Sequence, residues 1–164
     1  MKPLFYLALL AVILYSIPVH MQVHERYILM LEDDQDDRYL TSAVMEELNI
    51  KIPLKFLSNT EDLLPTLEQS PPLLILTDFN LHPETGFDVL QKIRCHPSFK
   101  HIPVVLLGDA TNPDFVAQCY RLGANTYATK PTSMEATKNK IGLFFRYWLE
   151  VAETIAPIPE KEKL

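Results

Sequence analysis

The feature that most narrows what this chain can fold into is an alternation. Five short apolar runs, Tyr27–Leu31, Leu54–Leu57, Leu73–Thr77, Val104–Leu107 and Thr126–Thr129, are each four or five residues long. Between them lie stretches whose apolar residues recur every three or four positions, the spacing of a helix with one buried face. In residues 36–48, for example, Tyr39, Leu40, Ala43, Val44 and Leu48 fall on one stripe. Strands alternating with helices predict a parallel sheet covered on both faces, because a parallel crossover needs a helix and the helices bury both sides.

The helix boundaries carry their own chemistry. Asn59 or Thr60 is suited to open a short helix through Glu68, with Glu61 and Asp62 complementing the positive end of its dipole. A helix over residues 86–94 follows the third strand. Thr111 or Asn112 precedes Pro113, a residue favoured at the first helical position, and the duller role of Thr111 is that cap. Gly123 suits a left-handed stop, and Ser133 opens a last helix that runs to about Glu153. The expected architecture is α/β, a doubly wound, five-stranded (βα)5 sheet. In such sheets ligands sit at the carboxyl ends of the strands.

Composition bounds the organisation. At 164 residues there is room for one domain. It occupies residues 21–155, with a proline- and charge-rich tail at 156–164 that reads as disordered. Residues 1–20 are different, holding one charged side chain, Lys2, and an unbroken apolar run from Leu4 to Tyr15. The run is short for a spanning helix and lacks a good cleavage site, so Met21 is expected to be the true start, with a membrane anchor as the alternative. Without that leader, 21 acids face 14 bases, a net −7. That balance argues against a nucleic-acid partner, which requires a basic patch. Cys95 and Cys119 are too few for a disulfide framework and fit a reducing compartment.

Three strand ends carry ionisable groups. The first gives Glu32-Asp33-Asp34, the third Asp78 and the fifth Lys130. Asp33, Asp34 and Asp78 together form a carboxylate cluster suited to a hard divalent ion such as Mg2+. Lys130 would bring a point cation to the same pocket, and a carboxylate beside two cations is a plausible nucleophile towards phosphorus. Each group also has a plainer reading: a solvated acidic loop, a turn-former and a surface lysine.

The segments YILMLEDD (27–34), LILTDFNLHPETGFDVL (74–90), IPVVLL (102–107) and YATKP (127–131) together resemble the receiver domains of two-component response regulators. Spacings of 44 residues from Asp34 to Asp78 and 52 from Asp78 to Lys130 suit that family. The resemblance implies a flavodoxin-like sheet with strand order 2-1-3-4-5. It also implies a phosphoacceptor at Asp78 that is charged by a histidine kinase. Asp34 would bind Mg2+ directly, Asp33 through water and Asn80 through its backbone carbonyl. Lys130 would contact the phosphoryl group, Pro131 would follow a cis bond, and Tyr127 would be the aromatic that moves on activation.

The chain departs from that pattern at the end of the fourth strand. The family has Ser or Thr there, whereas this chain has Gly108 followed by Asp109, so both enter the phosphoryl-contacting set with Lys130. Losing the hydroxyl leaves the acceptor, ligands and lysine in place, and is expected to alter the link to Tyr127. A second departure is His82, standing where the family usually has proline in the loop after the acceptor.

The stretch after residue 156 is expected to hold no output domain, so signalling is expected through the domain's own surface. The last helix carries two apolar stripes where one suffices to dock it. Phe144, Tyr147, Trp148 and Val151 are the expected anchors of a homodimer interface. The FRYWLEVAETIAP segment is similar to the stand-alone receivers paired with bacterial phytochrome kinases. The expected function is a cytoplasmic, single-domain, Mg2+-dependent phosphoacceptor in a phosphorelay, without enzymatic turnover. Two alternatives stand beside it: a degenerate receiver serving as an uncoupled adaptor, and an aspartyl-phosphate hydrolase. The hydrolase wants a second acid two residues after the nucleophile, where this chain has Asn80.

Overall fold

The computed structural model describes residues 26–155, so the apolar leader and the terminal tail lie outside the described residues. The strands are β1 (Ile28–Leu31), β2 (Leu54–Leu57), β3 (Leu74–Asp78), β4 (Val104–Gly108) and β5 (Thr126–Thr129). All pair in parallel, in the expected order β2-β1-β3-β4-β5. The helices are α1 (Gln35–Glu47), α2 (Leu63–Gln69), α3 (Gly86–Cys95), α4 (Pro113–Arg121) and α5 (Met134–Arg146).

Alternation along each strand divides the core, because successive side chains point to opposite faces. Leu29, Leu31, Ile75, Val104 and Leu106 pack against α2, α3 and α4. Ile28, Met30, Leu74, Leu76 and Val105 face α1 and α5. Both faces are covered, which is why the strands read as continuous apolar runs.

Sequence and structure differ in detail at three helix ends. Asn59 accepts from the backbone N–H groups of Glu61 and Asp62, at 3.0 and 3.2 Å, but the regular helix starts only at Leu63. The cap of α4 is Asn112, whose Oδ1 accepts from the Asp114 N–H at 2.8 Å; Thr111 takes no part. Gly123, with φ at 95°, closes α4 as expected. The third difference is at the chain's last helix, which does not continue regularly to residue 153. It passes at Tyr147–Val151 into a π turn, closed by the Ala152 N–H on the Tyr147 carbonyl at 2.8 Å.

A π turn inserts roughly one extra residue into the helical repeat and so rotates everything beyond it. Here Phe145 and Trp148 are buried, Trp148 being 7% exposed, with Ile141, Phe144 and Ala152 partly covered beside them. Trp148 is therefore a core residue and Phe144 a flanking one, which corrects their expected place in an interface. Tyr147 and Val151, 51% and 65% exposed, form the outward face together with Leu143.

An arginine outside every sequence motif ties the opposite end of the sheet. Arg94 donates to the carbonyls of Gly123 and Ile102, at 2.8 and 2.9 Å, and to Asn125 Oδ1 at 2.7 Å. Asn125 Oδ1 also accepts from the Val104 N–H at 3.0 Å. A planar guanidinium can satisfy several acceptors at fixed angles, which a lysine cannot. Both cysteines are free, and Cys119 is buried.

Candidate functional site

The carboxyl ends of β1, β3 and β5 converge on one pocket. Asp78 closes β3, where the buried strand carries its carboxylate inside: the residue is 5% exposed. Its Oδ2 lies 3.0 Å from Lys130 Nζ, and its Oδ1 is buried without a hydrogen-bond partner. Such an orphaned acceptor is costly, and natural proteins retain one where something else is meant to bind.

Glu32, noted at the end of the first strand but left out of the expected ligand set, belongs to the pocket. It follows β1 directly and is fully buried. Its carboxylate accepts from the Asp34 N–H and from Lys130 Nζ, each at 3.2 Å, while its carbonyl accepts from Arg38 Nε at 2.6 Å. Burial, with the Asp78 charge adding to it, holds the Glu32 carboxyl above the usual glutamate range. Glu32, Asp33 and Asp78 each offer a carboxylate oxygen, and these oxygens lie within 4.8 Å of one another.

Asp34 lies elsewhere. Its Oδ1 accepts from the N–H groups of Asp36 and Asp37, at 2.7 and 3.3 Å, as the N-cap of α1. The expected acid pair is thus displaced by one residue, to Glu32 and Asp33, because a carboxylate committed to a helix end points away from the pocket. The cap in turn places Asp37, another residue not foreseen, in the first turn of α1, where its carboxylate reaches Lys130 Nζ at 2.7 Å.

Lys130 therefore meets three carboxylates. Burial disfavours its charge, but the hydrogen bonds to Asp37 and Asp78 and the charges of Asp78 and Glu32 outweigh that, so the ammonium is held above the ordinary lysine range. The Lys130 N–H donates to the Gly108 carbonyl at 2.9 Å, fixing the residue at the β4–β5 edge. The peptide bond before Pro131 is trans; among the described residues the cis bond is His82–Pro83. The preference of an X-Pro bond for trans is small, so local packing decides which proline takes the cis form. Asn80 is exposed two residues beyond Asp78, at the start of the loop to α3.

Two glycines beside the pocket have close neighbours. A Cβ on Gly86 would meet the Asp78 carbonyl at 2.9 Å and Phe79 Cα at 3.0 Å, backbone atoms that cannot step aside. A Cβ on Gly108 would meet Tyr127 Oη at 2.9 Å. Tyr127 occupies that space: its hydroxyl donates to the Ala110 carbonyl at 2.9 Å and its ring packs edge-on against Phe115. Burial raises the Tyr127 hydroxyl above the usual tyrosine range, and Asp109, itself exposed, adds to this through its charge. Replacing Gly108 by threonine should displace the ring and cost about 1–3 kcal/mol. The urea midpoint and the fluorine resonance of a 3-fluorotyrosine at position 127 would register the loss and the move.

The chain is similar to known proteins in sequence and fold. The sequence profile of the response regulator receiver domain matches residues 28–142. The chain is 33% identical over 132 residues to the response regulator Rcp1 of Synechocystis sp., spanning 76% of this chain and 90% of that one. The structure is similar to the Mn2+-bound form of Rcp1, at 31% identity and a TM-score of 0.71. It is likewise similar to the phosphorylated cyanobacterial phytochrome response regulator RcpA, at 27% identity and a TM-score of 0.73. Each of these matches covers 80% of this chain and 99% of the other. With the fold, the buried aspartate and the lysine in place, the chain belongs to the response regulator receiver domains of two-component systems.

Proposed function

We propose that this protein accepts a phosphoryl group on Asp78 from a phosphohistidine of a histidine kinase. The observation that carries this reading is the Asp78 carboxylate itself: buried, ion-paired to Lys130 through one oxygen and unpartnered at the other. In the transfer a carboxylate oxygen forms a bond to phosphorus, the P–N bond breaks, and its electron pair leaves with the imidazole nitrogen. Lys130 faces the oxygens of the transferring group as a fixed cation. To reach them it must loosen its contact with Asp37, so Asp37 acts as a counterweight that holds the lysine until phosphate arrives.

The donors in the pocket fit Mg2+: Glu32, Asp33 and Asp78 supply hard oxygens, and the Asn80 carbonyl is the fourth candidate. When bound, the ion would offset charge on the phosphoryl oxygens. Phosphorylation is stoichiometric, so the protein is a signal carrier rather than a turnover enzyme. A cytoplasmic location suits a partner that carries phosphohistidine. Among the described residues, no helix is long and apolar enough to cross a membrane. The likeness to phytochrome response regulators supports a phytochrome-type kinase as donor, and the exposed stripe of Leu143, Tyr147 and Val151 supports self-association through the last helix.

The test is to offer acetyl phosphate with Mg2+ and resolve the product on a phosphate-affinity gel. One retarded band, absent in Asp78→Ala, is expected. No band from folded protein would favour the uncoupled adaptor, and sustained release of phosphate would favour the hydrolase.

A further inference from the structure

Three carboxylates surround Lys130, and one of them has no bond to make or break in the transfer. Lys130 Nζ lies 2.7 Å from Asp37 Oδ2, 3.0 Å from Asp78 Oδ2 and 3.2 Å from Glu32 Oε2. An ammonium has three N–H donors, so three carboxylates leave it none to spare. The partners differ in cover: the side chains of Glu32 and Asp78 are 1% and 7% exposed, that of Asp37 40%. A carboxylate that already meets water is released to it at little cost, whereas a covered one left without its partner keeps a large desolvation penalty. Asp37 is thus the contact that gives way when another anion claims the lysine.

We infer that Asp37 is a positioning residue that slows phosphoryl acceptance by Asp78 without shortening or prolonging the phosphorylated state, by competing with the phosphoryl oxygens for one donor of Lys130. This role rests on Asp78 being the acceptor. In the resting protein the Asp37 contact is made. In the transition state a bond from Asp78 to phosphorus forms, and the bond to the donor breaks with its electron pair leaving on the donor atom. Lys130 has by then turned one N–H to the phosphoryl oxygens, and the Asp37 contact is gone. An interaction present in the ground state and absent from the transition state raises the barrier. Hydrolysis differs. There water attacks phosphorus and gives up a proton, the electron pair of the breaking bond returns to the Asp78 carboxylate, and inorganic phosphate leaves. Asp37 is released both before and during that step, so it does not affect the rate. The contact can be removed cleanly, because Asp34 rather than Asp37 caps α1. Asp36 supplies a control: it is an exposed acid in the same first turn and lies outside the ion pairs of Lys130.

The experiment follows the full chain with acetyl phosphate and Mg2+ on a phosphate-affinity gel, first as phosphate is taken up and then as it is lost once the donor is removed. Asp37→Asn and Asp37→Ala are compared with the unaltered protein and with Asp36→Asn, which removes the same charge from the same turn. Both Asp37 variants are expected to take up phosphate about fivefold faster, the upper range for an ion pair that meets solvent. Their rates of loss should stay within about twofold of the unaltered protein, since the contact is absent from both states of that step. Asp36→Asn should match the unaltered protein in both phases. Uptake that is unchanged or slower in the Asp37 variants, equal acceleration in Asp36→Asn, or a parallel change in the rate of loss would each overturn the role of Asp37 and leave Asp78 as acceptor. Failure of the unaltered protein to take up phosphate at all would overturn the acceptor itself, and this inference with it.

Discussion

Replacing Lys130 by methionine should destabilise the metal-free protein by about 3 kcal/mol and make its stability strongly dependent on Mg2+. Breaking a buried ion pair from one side costs about 3–5 kcal/mol, because the remaining charge keeps its desolvation penalty. Here the lower end applies, since a quarter of the Lys130 side chain meets solvent while Glu32 and Asp78 are almost wholly covered. Millimolar Mg2+ should restore most of the loss, as a ligand bound only by the folded state stabilises it.

The dependence on pH has a definite direction. The native Glu32 carboxyl is raised by burial and by Asp78, and Lys130 restrains it together with the Asp34 N–H. A carboxyl raised in the folded state binds its proton there first. Its contribution to stability is therefore complete below the ordinary glutamate range and is lost as pH rises through the native value. Without Lys130 that native value climbs further. The deficit should shrink on acidification, and urea denaturation over a pH series with and without Mg2+ would measure it. A deficit independent of both would mean that the lysine contributes packing rather than charge.

Trp148→Ala should cost about 3–5 kcal/mol, the range for emptying an aromatic from a packed core. Tyr147→Ala should stay within about 0.5 kcal/mol. The two residues are neighbours in sequence, and their rings touch with centroids 5.3 Å apart. Only Trp148 joins Ile28, Met30, Leu74 and Phe145 beneath the sheet. The division extends to assembly: Tyr147→Ala should weaken self-association in analytical ultracentrifugation and leave the thermal midpoint in place. If Tyr147→Ala destabilised the monomer as much as Trp148→Ala, the outward stripe would have been misassigned.

Sequence reasoning reached the fold because period-two and three-or-four patterns depend on local burial, and every strand lay within a residue or so of its expected place. The site was partly legible for the same reason: Asp78 and Lys130 end apolar strands, so their positions follow from the strands. Choosing among Glu32, Asp33 and Asp34 required knowing which acid caps α1, a question of backbone direction that composition does not answer. A signal did exist. With a helix starting near residue 36, an aspartate just before it is a natural cap, and a cap is not free to ligate. Trp148 was misplaced for a different reason: the last helix carries two apolar stripes, and helical spacing alone does not say which of them faces the sheet.

The Arg94 clamp has a mechanical consequence. Its acceptors lie where β4 and β5 begin, whereas the acceptor pocket lies where those strands end. The starts of β4 and β5 are therefore held together by one side chain. Amide exchange should be slowest at the pinned end and quicken towards Gly108 and Thr129, where β4 and β5 end. On the proposed function, a phosphoryl group at Asp78 would add its charge at the end of the sheet away from this clamp, where Lys130 rather than Arg94 ties β4 to β5.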